Sequence, residues 1–145
     1  MKTHIVIHHS LTKDGETVSW GAVRRYHMAQ MGFRDIGYHV GFEMIDDHYE
    51  ALLGRPLLDK AAAAYQENMN RVGVHCLFMG NFDEHEPTAE ILAFGAKHIA
   101  AIAEALRIEP HDAYILPHSR VANYKTCPGK LFPMDEFIKL VEREM

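Results

Sequence analysis

Apolar positions along the chain follow two rhythms, one of period two and one of helical spacing. The run His4-Ile5-Val6-Ile7-His8 is β-type and ends in the polar, glycine-containing stretch Ser10 to Gly15, which predicts a first strand carrying histidine at its end. From Ser19 to Gln30, Trp20, Val23, Tyr26 and His27 recur at helical spacing behind a capping serine, and Gly32 closes the segment. Tyr38 to Ile45 and Tyr49 to Leu53 are β-type runs around Asp46-Asp47-His48, the pattern of a hairpin. Arg71 to Gly80 is apolar and β-branched enough for a central strand. The Ala61 to Ala64 run before it has high helix propensity but no apolar face.

The longest helix is expected from Thr88 to Leu106, with Ile91, Leu92, Ile99, Ile102 and Leu106 on one stripe behind the start signal Pro87-Thr88. Ala113 to Leu116 reads as a short strand and Pro117 to Pro133 as a loop rich in turn formers. Asp135 to Glu144 reads as a final amphipathic helix with Phe137, Ile138 and Val141 inward. Strands and helices alternate, so the expected fold is α/β: a central mixed sheet of about five strands flanked by about three helices on both faces. The hairpin makes the sheet mixed rather than all-parallel.

At 145 residues the chain is one domain's worth of sequence, so residues 1–145 are read as one domain able to bury a core without disulfide staples. A net charge of −5 argues against nucleic acid or an anionic membrane surface as the main partner. Lys97, His98 and Glu104 interrupt the longest apolar segment, so no membrane span is expected. Met1-Lys2-Thr3-His4 runs straight into the first strand without the apolar core of a secretory signal, which implies a chain that stays in the cytoplasm on synthesis. Two cysteines make no disulfide framework, whereas eleven histidines are far above average usage.

Ligand sites in such sheets form where strands end and loops begin, and two such places carry metal-ligand residue types: His8-His9 and His118 to Cys127. A catalytic zinc site needs three nitrogen, sulfur or oxygen ligands and one open position. His118, Cys127 and one of His8 or His9 would supply them. Neighbours on an extended strand point to opposite faces, so only one of that pair reaches a given site, and spacing does not say which. His4, His48, His85, His98 and His111 read as ordinary core or surface residues, and Cys76 as a small buried hydrophobe.

Ile5-Val6-Ile7-His8-His9-Ser10-Leu11-Thr12 resembles the first metal motif of the zinc-dependent N-acetylmuramoyl-L-alanine amidases, the family that includes bacteriophage amidase-type lysozymes and peptidoglycan recognition proteins. Four further segments agree in order. Tyr26-His27 matches the phage enzymes, Asp35-Ile36-Gly37-Tyr38-His39 resembles the Gly-Tyr-His strand, and Val72-Gly73-Val74-His75-Cys76-Leu77 resembles the core strand. His118 with Lys125-Thr126-Cys127-Pro128-Gly129 resembles the second metal motif.

The resemblance implies zinc held by His8, His118 and Cys127, and it chooses His8 over His9. It implies catalytic positions at Tyr38 and Lys125, and hydrolysis of the amide between N-acetylmuramic acid and L-alanine in peptidoglycan or muropeptides. It implies an endolysin of a phage or prophage, reaching the wall after release, or a recycling enzyme. A monomer is favoured. Zinc can lower the pKa of water to about 7 and polarise a carbonyl, so no protein nucleophile is needed. Two departures stand out: the family's His-containing loop is Ala61 to Ala64 here, and the His118 to Cys127 interval is one residue longer than in the phage enzymes. The rival readings are a peptidoglycan-binding module without catalysis and a hydrolase with Cys127 as nucleophile.

Overall fold

The computed structural model describes residues 1–11 and 19–145. It contains one five-stranded sheet in the order β3-β2-β4-β1-β5, formed by β1 (His4–His9), β2 (Val40–Ile45), β3 (His48–Leu53), β4 (Gly73–Phe78) and β5 (Ile115–Pro117). β1 runs parallel to both β4 and β5, β2 is parallel to β4, and β3 is antiparallel to β2. The sheet is therefore mixed, as the hairpin predicts. From residue 12 on, the turn expected after β1 lies outside the described residues.

Among the described residues the α-helices number five rather than about three: α1 (Trp20–Ala29), α2 (Met69–Val72), α3 (Ala89–Leu106), α4 (His118–Val121) and α5 (Met134–Glu144). The three long ones fall where periodicity predicts them. Both additions are single turns of four residues, too short to show a period. α2 occupies the start of the expected Arg71–Gly80 strand, and α4 sits in the expected Pro117–Pro133 loop. β2 starts later than expected, at Val40, and β3 a residue earlier, at His48, so the hairpin turn is only Asp46-Asp47.

Ala61 to Ala64 forms no helix despite its propensity. Asn70 captures the run instead: its backbone carbonyl accepts from Ala61 N–H, and its side-chain oxygen accepts from Ala63 and Ala64 N–H. Ala61 and Ala64 are buried, so the apolar methyls are used in packing rather than in a helix stripe.

Alternation along the strands divides the interior. Ile5, Ile7, Val74, Cys76, Phe78, Val40 and Phe42 face α3 and α5 and form the main core with Ile91, Ile99, Ala103, Phe137 and Val141. The other face carries Val6 packed with Ala64 and Met69, and Leu77 packed with Trp20 and Ile36. α1 is fixed on that face by its N-terminus, where the Ser19 hydroxyl accepts from Ala22 N–H and the buried Glu43 carboxylate accepts from Trp20 N–H at 3.0 Å. The Trp20 ring lies over Gly41 of β2, where a Cβ would run into the indole. α1 and the 61–72 segment leave part of this face open.

Gly41→Ala should therefore destabilise by about 1–3 kcal/mol through overpacking. Trp20 is the only tryptophan and is 7% exposed, so its fluorescence during urea unfolding measures the change directly. An unchanged midpoint would show that α1 is not seated on β2 through this contact.

Candidate metal centre and cleft

β1 leaves its two terminal histidines on opposite faces. His8 points to the open face, and His9 points toward Phe82, whose N–H its Nδ1 accepts at 3.1 Å. The His9 backbone N–H reaches Cys127 Sγ at 3.4 Å. β5 ends at Pro117, and the next residue, His118, opens α4. Parallel pairing of β1 with β5 brings the His8 and His118 rings to 4.6 Å between centroids. Cys127 arrives from the loop between α4 and α5.

That loop is tied at several points. Ser119 N–H donates to the Cys127 carbonyl at 2.8 Å. Asp83 accepts from the Thr126 hydroxyl with one carboxylate oxygen and from Lys130 N–H with the other. Gly129 adopts a φ of 114° with its backbone so close to that of Phe82 that no Cβ fits. Sequence reasoning missed Asp83, a residue whose role depends on a neighbour 43 positions away.

One donor atom from each of His8, His118 and Cys127 lies within 4.8 Å of the others, a grouping that could hold a metal ion. His8 Nδ1 is 3.8 Å from Cys127 Sγ. Zinc with nitrogen and sulfur bonds of normal length would separate adjacent donors by roughly 3.3–3.6 Å, so an inward movement of about an ångström would bring these donors to that spacing. Two imidazoles and a thiol suit zinc, whereas magnesium and calcium take oxygen ligands. The residues present fit the group that the sequence implies.

Burial controls the charge of these donors. It pushes His8 well below the ordinary imidazole value, with His75, His118, Lys125 and His9 adding in the same direction. It lowers His118 to about 4, with Lys125 contributing. The rings are neutral at pH 7 and free to ligate. Burial raises the Cys127 thiol to about 12, against the pull of His9 N–H and Lys125. Behind His8, its Nε2 lies 2.8 Å from His75 Nδ1, and His75 Nε2 lies 2.8 Å from the Met69 carbonyl oxygen. His39 stacks on His75 and accepts its N–H, and the buried Lys2 ammonium donates to the Asp59 and Gly73 carbonyls beyond.

Tyr38 packs edge-on against His8 at 5.1 Å between centroids. Burial, then the neighbouring Cys127, holds its phenol well above the ordinary value, so it carries its proton throughout the neutral range. Lys125 lies on the rim with its ammonium 5.9 Å from the centre of the Tyr124 ring. Tyr38 and Lys125 line, with the three donors, a cleft of about 690 Å³. A second lobe of about 350 Å³ shares His118, Tyr124, Lys125 and Ala63 and runs along Ala62–Ala64 and Asn70. The structure thus brings His8, His118, Cys127, Tyr38 and Lys125 to one cleft and leaves His4, His48, His98 and His111 outside it.

An α/β domain with a nitrogen–nitrogen–sulfur donor cluster beside an open cleft at the carboxyl ends of its parallel strands is the class that fold and geometry define. The family model described as N-acetylmuramoyl-L-alanine amidase (Amidase_2) matches residues 2–130, and the chain belongs to that family. Among curated proteins no match is found. Among solved structures, the N-acetylmuramoyl-L-alanine amidase LysC from Clostridium intestinale URNW aligns with a TM-score of 0.77 at 21% identity, over 97% of this chain and 85% of that one. Bumblebee PGRP-SA aligns with 0.73 at 21% identity over 92% and 79%. Drosophila PGRP-LB Y78F in complex with tracheal cytotoxin aligns with 0.73 at 23% identity over 90% and 77%. These likenesses show the shared amidase and peptidoglycan recognition fold.

The buried imidazoles predict acid sensitivity. Burial lowers His39 to about 4 and His75 to about 3, from an ordinary 6.5, so in between the unfolded chain binds protons that the folded chain refuses. Stability is complete above the ordinary value and falls as pH drops below it, with a slope of up to about 1.4 kcal/mol per pH unit for each group. Urea midpoints of metal-free protein between pH 7 and 4 measure this, and His39→Gln should remove part of the slope. A flat profile would show that the rings accept protons in place.

Proposed function

We propose that the protein is a zinc-dependent amidase that hydrolyses the bond between the lactyl group of N-acetylmuramic acid and the L-alanine of the stem peptide. The observation that carries this reading is the convergence of His8, His118 and Cys127 at a cleft flanked by Tyr38 and Lys125. Family membership supports the activity. The C. intestinale matches, named as an N-acetylmuramoyl-L-alanine amidase and an endolysine, support a role in wall lysis, as in a phage or prophage enzyme.

His8, His118 and Cys127 would hold the ion. Zinc bound there supplies Lewis-acid polarisation of the scissile carbonyl and makes water nucleophilic near neutral pH. The chain's own groups do the rest. As the carbonyl oxygen gains charge, the Lys125 ammonium and the Tyr38 hydroxyl offer a cation and a donor beside it. Tyr38, protonated at neutral pH, can also pass a proton to the leaving amine. The two lobes meet at His118 and Lys125, so substrate on either side of the scissile bond has a lobe of its own. Ala62–Ala64 offer substrate in the second lobe small side chains and backbone, beside the polar groups of Gln66, Asn70 and Tyr124.

The donor set distinguishes this reading from its rivals. One zinc per chain is expected, with activity lost on chelation and restored by zinc. Cys127→Ser should lower zinc content and activity together, and His8→Ala should abolish both, whereas His9→Ala should be much milder. Chelator-resistant activity that alkylation of Cys127 destroys would establish a cysteine nucleophile instead, and a zinc-loaded protein inert toward muropeptides would be a binding module.

Tyr38→Phe removes only a hydroxyl and Lys125→Ala only an exposed rim side chain with its charge, so zinc content and fold should persist. Turnover of a defined muropeptide should fall on the order of a hundredfold, or about 3 kcal/mol, with KM little changed. Wild-type turnover in both metal-replete variants would remove these residues from the reaction.

A further inference from the structure

We propose that His75 is a positioning residue, fixing His8 in the tautomer whose Nδ1 offers a lone pair toward His118 and Cys127. The inference rests on the reading that these three residues hold zinc.

Each ring's hydrogens are set by its hydrogen-bond partners. A carbonyl oxygen only accepts, so His75 Nε2, 2.8 Å from the Met69 carbonyl, carries a hydrogen. In a neutral imidazole the other nitrogen, Nδ1, is then an acceptor. That atom is 2.8 Å from His8 Nε2, which must therefore donate. His8 Nδ1, 3.8 Å from Cys127 Sγ, is left without a hydrogen, an acceptor whose lone pair faces the thiol. One carbonyl that can only accept thus sets the hydrogens of both neutral rings.

The arrangement is held from every side. β4 pairs with β1 so that Val6 opposes His75 and Leu77 opposes His8, which makes His75 and His8 diagonal neighbours on one face. The His75 backbone exchanges hydrogen bonds with His39: its N–H donates to the His39 ring and its carbonyl accepts from His39 N–H. The Met69 carbonyl lies at the start of α2, the single turn that replaces the first residues of the expected strand. His75 is fully buried and His8 is 1% exposed, so solvent cannot substitute for either partner. With no acceptor at position 75, His8 Nε2–H would be a buried donor without a partner. The ring would then gain by moving its hydrogen to Nδ1, the tautomer that cannot ligate.

Two substitutions separate positioning from packing. His75→Leu fills space without an acceptor. His75→Gln offers a carboxamide oxygen to His8 and an N–H to Met69. Zinc affinity, measured by competition with a chromogenic chelator, should weaken 10–100-fold in His75→Leu and recover to near wild type in His75→Gln. Nitrogen-15 shifts of the His8 ring in the unaltered, metal-free protein should show hydrogen on Nε2. Hydrogen on Nδ1 would overturn the inference, and this measurement decides it even if His75→Leu does not fold. Wild-type zinc affinity in a folded His75→Leu, together with loss of affinity in His8→Ala, would overturn the role of His75 alone. Undiminished affinity in His8→Ala would overturn the metal reading itself.

Discussion

β1 pairs in parallel with β4 on one side and β5 on the other, and this double pairing fixes the face on which each of its side chains lies. Ile5 and Ile7 are driven into the layer under α3 and α5, where they are wholly buried. His8 must then appear on the opposite face. A slip of one residue would exchange the isoleucines for His4, Val6 and His8, burying imidazoles in the apolar layer and exposing the isoleucines. The apolar core thus sets the direction of His8, and β5 adds His118 one residue past its end.

The third donor is placed by a different means. Cys127 lies on irregular chain, held by the Asp83 carboxylate, by Ser119 N–H and by the close passage of Gly129 over Phe82. Each tie joins the loop to a segment whose position the sheet already determines, since 82–83 follow β4 and Ser119 follows β5. A loop with such anchors can hold a ligand almost as firmly as a strand does.

Electrostatically the site is made of neutral donors and peripheral cations. Burial strips protons from His8, His118, His75 and His39, and Lys2 and Lys125 press in the same direction. Lys2 is itself lowered to about 8 by burial, opposed by Asp59, and its ammonium is held by two backbone carbonyls. Such a setting disfavours further positive charge on the rings and favours a thiolate once a cation is present beside it.

Periodicity and capping chemistry were enough to locate the long elements. Ser19 and Thr88 cap α1 and α3 through their side chains, and Phe137 and Val141 of α5 are buried. These are local or single-element properties, and the chain carries them without help. Motif order likewise brought His8, His118, Cys127, Tyr38 and Lys125 forward. What the sequence left open depends on contacts between distant segments. Spacing did not choose between His8 and His9, and only the resemblance named His8; the face each ring takes came with the register of β1 on β4 and β5. The Ala61–Ala64 run has helix propensity but no apolar face, and Asn70 takes its amides instead. α2 and α4 are single turns whose formation follows the ends of β4 and β5. His75 reads as one more strand residue, and only the packing of β1 on β4 puts its ring against His8. Side-chain pattern is a property of neighbours along the chain, whereas a ligand's orientation is a property of neighbours in space, and those the tertiary structure alone decides.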